Sequence, residues 1–189
     1  MNKALVIGTS FGGLEALKTI IPALPADFNI PILVVLHIGD NNNDSFIRYL
    51  NGISELNIKE AEEKDEITKG HVYFAPPNYH MMVEDDETIS FSDDPKVHHS
   101  RPSIDVLFES AAWAYKNKLI GVVLTGLNQD GAYGLKTIKD YGGTTLVENP
   151  ENAVASIMPK AALTESDVDF VLELDEISSK LIELSVQDE

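Results

Sequence analysis

Residues 4–21 read ALVIGTSFGGLEALKTII, and a strand, a turn and a helix follow one another within that span. Residues 4–8 (ALVIG) form a short apolar run of the kind buried on both faces of a parallel sheet. Gly12 and Gly13 then open a helix in which Leu14, Leu17, Ile20 and Ile21 recur at helical spacing. Between them, Gly8-Thr9-Ser10-Phe11-Gly12 matches Gly-x-Ser-x-Gly, a strand-to-helix corner that lifts a serine hydroxyl into the open. The first N–H groups of the helix aim at the same point, so the backbone at Phe11 and Gly12 is a candidate oxyanion site. Two other readings stay open. Ser10 could simply cap the helix. The turn could also be a dinucleotide loop, although Ser10 stands where the second glycine of Gly-x-Gly-x-x-Gly should approach a pyrophosphate.

Outward from this corner, apolar β-rich runs alternate with helical patterns, the signature of a sheet covered on both faces. Residues 31–37 (PILVVLH) predict a second strand and 43–51 a helix. A short strand is expected near 57–61. The runs at 71–75, 80–84 and 88–92 read as antiparallel strands forming an excursion at a sheet edge. Pro102-Ser103 starts a helix running to about Asn117, and 119–126 (LIGVVLTG) is the most apolar strand, hence central. A helix from Gly131 to Tyr141, a strand at 144–148, a helix over 152–164 broken near Pro159, a strand at 168–172 and a helix over 175–185 complete the chain. The expectation is an α/β fold: an open, mostly parallel, doubly wound sheet of Rossmann-like three-layer architecture, with an antiparallel edge excursion around residues 70–92. With no repeat, linker or low-complexity segment, residues 1–189 read as a single domain.

The 189 residues suffice for a large core, and 43% hydrophobic with 24% charged content argues against disorder. The chain has no cysteine, which excludes disulfides, thiolate metal sites and a cysteine nucleophile. A net charge of −17 disfavours nucleic acid and anionic membranes as partners. No run reaches the roughly 20 apolar residues of a membrane span, and the N-terminus lacks the pattern of a signal peptide. Together with the missing cysteines this suits the cytoplasm. No sustained heptad appears, which favours a monomer.

His37 and Asp130 join Ser10 in one constellation. His37 ends PILVVLH, and Asp130 follows LIGVVLTG and the loop Leu127-Asn128-Gln129. Alone, His37 reads as a histidine at a strand end and Asp130 as a helix cap. All three, however, follow apolar strands and fall at the carboxyl edge of one parallel sheet, where such sheets expose ligand crevices. A serine hydroxyl needs a neutral imidazole to accept its proton. That imidazole in turn needs a carboxylate to fix its tautomer and stabilise the imidazolium. The chain order Ser, His, Asp differs from the Ser, Asp/Glu, His of α/β-hydrolases.

At this point VIGTSFGGLEALKTIIPALP, PILVVLHI, GHVYFAPPNYHM, HSRPSIDVLFESAA, GVVLTGLNQDGAYGLKTIKDYGG and ENAVASIMPKAAL together resemble the catalytic domain of CheB-type protein-glutamate methylesterases, in family order across nearly the whole chain. The resemblance implies that Ser10, His37 and Asp130 are the catalytic serine, histidine and aspartate. It further implies hydrolysis of glutamate γ-methyl esters on cytoplasmic helices of chemoreceptors, with deamidation of receptor glutamines by some members, and no metal or organic cofactor. Family members usually carry a receiver domain ahead of the catalytic one, whereas this chain opens at the first catalytic strand, so phosphorylation control is expected either to act in trans, through a separate receiver or signalling protein, or to be absent. The stretch Ile38-Gly39-Asp40 after the histidine, Thr125-Gly126-Leu127-Asn128 before the aspartate, and Ser100 before Arg101 depart from the family pattern.

Thr9 and Thr125 are expected to support the active-site turns through their hydroxyls. His80 reads as structural or rim-forming rather than catalytic. Arg101 is expected to pair with a carboxylate that holds its loop. Two alternatives to the methylesterase are a catalytically weak, receiver-less scaffold or binding module in a signalling complex, motivated by the altered loops, and a nucleotide-binding open-sheet protein, which rests on the first turn alone.

Overall fold

The computed structural model describes residues 3–37 and 43–186. Its centre is the strand that opened the sequence, β1 (Ala4–Thr9), buried along its whole length. Ala4 and Val6 face one side of the sheet and Leu5 and Ile7 the other, each set joining a different apolar core, as the two-residue period of a strand requires. β1 pairs in parallel with β2 (Ile32–Leu36) on one side and β7 (Leu119–Val123) on the other. Outside β2 lie β4 (His71–Phe74) and then β3 (Asn57–Glu60); outside β7 lie β8 (Thr144–Glu148) and β9 (Phe170–Leu172). All seven strands of this sheet are parallel.

The helices cover both faces. α1 (Gly13–Ile20), α2 (Asp44–Ile53) and α6 (Leu174–Val186) supply Leu17, Leu50 and Leu181 to the core containing Leu5 and Ile7. α3 (Ile104–Tyr115), α4 (Ala132–Asp140) and α5 (Ile157–Glu165) supply Phe108, Leu135 and Ala162 to the opposite core. Each large aliphatic or aromatic side chain sealed this way contributes about 1.5–3 kcal/mol. One close approach matters for the site. A Cβ on Gly8 would stand 2.3 Å from Ile104 Cγ2, so only glycine there lets the N-terminus of α3 press onto the end of β1.

The antiparallel pair is β5 (His80–Val83) with β6 (Ile89–Ser92), a separate two-stranded sheet that adds Met81 and Ile89 to the α3 side of the core. The run at 71–75, read with them, instead enters the main sheet as β4, parallel to β2. Its buried Val72 and Phe74 point to one core and Tyr73 to the other, which marks a strand covered on both faces. Pro159 does not break its helix, because α5 starts only at Ile157 and a proline in the first turn forfeits no helical hydrogen bond. Among the described residues no helix is long and apolar enough to cross a membrane. The chain leaves β1 toward β2 and later returns on the other side through β7, so the sheet changes direction beside β1. The crevice such a reversal opens lies at the carboxyl ends of β2, β1 and β7.

Candidate active site

Ser10 is the first residue beyond β1. Its N–H donates to Thr125 O at 3.0 Å, and its carbonyl accepts from Gly13 N–H at 2.8 Å, closing a tight turn. Gly12 takes φ +86° in this turn, a left-handed conformation that a side chain would strain. Among the described residues, the N–H groups of Phe11 and Gly12 donate to no protein acceptor. Two unpaired donors thus sit on the turn that carries the serine.

The neighbouring strand delivers His37. Its N–H donates to Thr9 O at 3.0 Å, which makes Ser10 and His37 cross-strand neighbours at the carboxyl ends of β1 and β2. His37 Nε2 lies 3.0 Å from Asp130 Oδ2, a hydrogen-bond distance, although the contact is off-axis for a ring N–H and Nε2 makes no well-aligned hydrogen bond. Such misalignment is common before substrate binds. Nδ1 is enclosed and has no partner among the described residues. The Ile38-Gly39-Asp40 stretch that departs from the family pattern lies outside the described residues.

Asp130 is fully buried at the end of the loop after β7. Its Oδ1 accepts from Ser103 Oγ (2.8 Å) and Asp105 N–H (2.9 Å), and its Oδ2 accepts from Ile104 N–H (2.8 Å). It therefore caps α3, reaching the N–H groups that the first turn of a helix leaves free. Burial by itself would raise its pKa. The adjacent His37 and the two backbone donors outweigh burial and hold the carboxyl below the usual range. The site thus contains an anion fixed from one side by a helix start and from the other by an imidazole.

His80 stands behind this anion and is buried rather than on a rim. Its Nδ1 accepts from Ser103 N–H at 3.1 Å, which assigns the proton to Nε2, 3.2 Å from Pro95 O. Thr9 donates its hydroxyl to Thr125 O at 2.9 Å. Thr125 Oγ1 donates to Phe11 O at 2.8 Å and accepts from Ala155 N–H at 2.8 Å. These bonds tie the serine turn to the loops after β7 and β8. Arg101 holds its loop through main-chain carbonyls, those of Asp93 and Asp94, and not through a carboxylate as its charge alone suggests.

Two buried acids escaped the sequence reading. Asp105, in the first turn of α3, accepts on Oδ1 from Gly131 N–H (2.9 Å) and Gly134 N–H (2.7 Å), while Oδ2 lies 3.3 Å from His98 Nε2. Burial pushes its pKa up to about 6, assisted by the charge of Asp130 and opposed by the backbone donors and His98. Glu148, at the end of β8, accepts Thr125 N–H at 2.8 Å. An acidic residue just inside a helix normally reads as a dipole partner facing water; only the packing of α4 on α3 reveals Asp105 as buried. Beside the polar cluster, Phe11, Leu127 and Val154 are more than half exposed. Val154 lies against Gly12, Gly126 lies against Ser10, and Phe11 and Leu127 follow Ser10 and Gly126 in the chain, so the three are an exposed apolar rim beside the serine turn. Among the described residues no group of three or more His, Asp or Glu is placed to hold a metal ion.

Comparison with known proteins gives one family throughout. The family model for CheB methylesterase matches residues 5–181. A protein of Leptospira interrogans (serovar copenhageni) is 52% identical over 182 residues, covering 96% of this chain and 94% of that protein. The protein-glutamate methylesterase/protein-glutamine glutaminase of Thermotoga maritima is 40% identical over 186 residues, or 97% of this chain; the match spans 54% of that relative's length. The crystal structure of the Thermotoga maritima CheB methylesterase catalytic domain superposes with a TM-score of 0.93 at 39% identity, covering 97% of this chain and 99% of that one.

Proposed function

Because the chain belongs to the CheB methylesterase family, we propose that it is a protein-glutamate methylesterase in which Ser10 is the nucleophile, His37 the base and Asp130 the orienting acid, residues 1–189 acting as one catalytic domain. The observation that carries this reading is the state of His37: Nε2 against a buried anion, Nδ1 enclosed and without a partner among the described residues, beside the strand end that bears Ser10. With the ring proton on Nε2, facing Asp130, Nδ1 is the nitrogen left to accept the proton of Ser10. This usage reverses the ring relative to the usual serine protease arrangement, in which Nδ1 faces the aspartate.

In the reaction, Ser10 Oγ attacks the γ-carbonyl of a glutamate methyl ester while His37 Nδ1 takes the hydroxyl proton. The developing oxyanion moves onto the free N–H groups of Phe11 and Gly12. Collapse of the tetrahedral intermediate breaks the bond to the methoxy group, which leaves as methanol with the proton from His37. A γ-glutamyl ester of Ser10 remains. Water, deprotonated by His37, then attacks that ester, releasing the glutamate carboxylate and restoring the serine. A glutamine amide follows the same path with ammonia leaving, so one oxyanion site serves both reactions. Asp130 stays ionised throughout and stabilises the imidazolium. The apolar rim of Phe11, Leu127 and Val154 suits the side of an amphipathic helix, which fits methylated cytoplasmic helices of chemoreceptors as substrate and the cytoplasm as the site of action.

The test is methanol release from a radiomethylated chemoreceptor fragment of the same organism. Ser10→Ala should lower kcat by on the order of 10⁴ to 10⁶ while the protein melts as the wild type does. Turnover by that variant within tenfold of wild type would remove Ser10 as the nucleophile. A folded wild type that releases no methanol would remove the substrate assignment.

A further inference from the structure

The imidazole–carboxylate contact of the active site occurs twice. His37 faces Asp130 at 3.0 Å, and His98 faces Asp105 at 3.3 Å. The two carboxylates are joined: Asp105 N–H donates to Asp130, and each acid caps the helix next to the other, Asp130 the start of α3 and Asp105 the start of α4. Asp130 immediately precedes Gly131, whose N–H Asp105 holds, so displacing one carboxylate displaces the backbone of the other. His98 reaches this position from backbone at φ +48°, followed by His99 at φ +65°, conformations that cost residues other than glycine of order 1 kcal/mol or more. Its Nδ1 lies 3.2 Å from Gln129 Nε2, so the side-chain amide donates to it and the Nε2 proton is left for Asp105.

We propose that His98 and Asp105 are positioning residues for the reaction: the ionised Asp105, held by His98, fixes the loop that carries Asp130 and adds negative charge that favours the imidazolium forming on His37. The inference rests on the reading of Ser10, His37 and Asp130 as the catalytic groups. The charged groups around Asp105 come from several elements. They are His98 on the loop before α3, Asp130 before α4, and His37 across Asp130 after β2. Glu109 lies one turn further along α3 and feels Asp130. Glu165 of α5 and Tyr133 of α4 share with His98 an open cavity of about 420 Å³. Protonation of Asp105 below its raised pKa of about 6 removes the charge, so the positioning it supplies requires Asp105 to be free of its proton.

A fluorophosphonate that labels the active serine tests this without any receptor. The rate constant for labelling Ser10 is followed from pH 4.5 to 8 in wild type, Asp105→Asn and His98→Asn, alongside melting temperatures. Asparagine at 105 keeps the Oδ1 acceptor for Gly131 and Gly134, and asparagine at 98 tolerates left-handed backbone. In the wild type the rate should carry an acid limb set by Asp105, falling as pH drops through about 6. Asp105→Asn should label about 10- to 100-fold more slowly at pH 7 and should lose the part of the acid limb centred near pH 6. His98→Asn should slow labelling by about three- to tenfold. Labelling of Asp105→Asn at the wild-type rate with an unchanged acid limb, whatever its melting temperature, overturns the inference and leaves the triad standing. If Asp105→Asn does not fold, His98→Asn decides, and an unchanged rate there overturns the inference. A folded wild type that never labels removes the triad and this inference together.

Discussion

Asp130 and Asp105 are hydrogen-bond neighbours, both almost sealed from solvent and both holding two backbone N–H groups at a helix start, yet their carboxyls titrate in opposite directions. Burial is the largest influence on each and raises both. Asp130 overcomes it, because Ser103 adds a hydroxyl at 2.8 Å and His37 an imidazole at 3.0 Å. Among the described residues Asp105 has, beyond its backbone donors, the partly exposed His98 at 3.3 Å, and it also bears the repulsion of Asp130. Two anions confined this closely do not ionise equally easily, and the one with the weaker partners takes the penalty. The difference separates an acid that is always ionised at working pH from one whose charge is conditional.

The strongest way to break this comparison is to neutralise the acid that is never neutral. Asp130→Asn retains much of the shape but removes the charge that stabilises the imidazolium, and an amide Nδ2 directed at Ile104 N–H or at His37 presents a donor to a donor. A loss in kcat of about 10⁴ is expected in the methanol-release assay, with KM nearly unchanged. That loss should exceed the effect of Asp105→Asn by two or more orders of magnitude. A loss within tenfold of that caused by Asp105→Asn would make the two acids equivalent and remove the special role of Asp130.

The asymmetry also explains which acid could be read from the sequence. Ser10, His37 and Asp130 each follow an apolar strand, and β2, β1 and β7 lie side by side in the sheet, so position along the chain translated directly into position at one edge. The central strand LIGVVLTG and the Gly-x-Ser-x-Gly corner are legible because burial on both faces and a sharp turn leave few residue choices. Asp105 has no such signature. It lies in IDVLFESAAWAY, a helix whose polar positions resemble solvated ones, and its burial follows from α4 packing across α3. The same limit applied to β4. HVYFA carries no mark of parallel or antiparallel pairing, and only the placement of β2 beside it decides. Arg101 illustrates a third limit, since a guanidinium signals strong donors without saying whether carboxylates or carbonyls will receive them.

A thermodynamic measurement sharpens the contrast. Asp105 has a folded-state pKa raised to about 6 from an ordinary value of 3.8, so the folded protein prefers its protonated form. Its favourable contribution is fully present below the unfolded pKa, near 4, and is lost as pH rises through about 6. Asp130 has the opposite sign: its lowered folded pKa gives stability that is present above the unfolded value and lost only as pH falls below it. Between pH 7 and pH 4 the two acids therefore act in separate windows. Wild type should gain roughly 2 kcal/mol over that interval relative to Asp105→Asn, measured as the difference between their urea unfolding free energies at each pH. A difference independent of pH would mean that Asp105 is ionised as easily in the folded chain as in the unfolded one.

The smallest expected effect concerns Ser103, the residue that gives Asp130 its advantage. It is buried, its hydroxyl donates to Asp130 Oδ1, and its N–H is held by His80. Ser103→Ala deletes one of the carboxylate's four close partners and the side-chain cap of α3, which should cost about 1–2 kcal/mol of stability and lower the rate of Ser10 labelling by about threefold. The informative experiment is the double variant with Asp105→Asn. If Ser103 and Asp105 support Asp130 independently, their effects on labelling add in free energy. If they belong to one network around that carboxylate, the double variant departs from additivity by more than about 0.5 kcal/mol. The second outcome is expected, because the Ser103 hydroxyl holds Asp130 Oδ1 directly while the Asp105 side chain holds Gly131, the next residue in the chain, so both side chains act on the placement of one carboxylate. Additive effects would instead assign Asp105 to α4 alone.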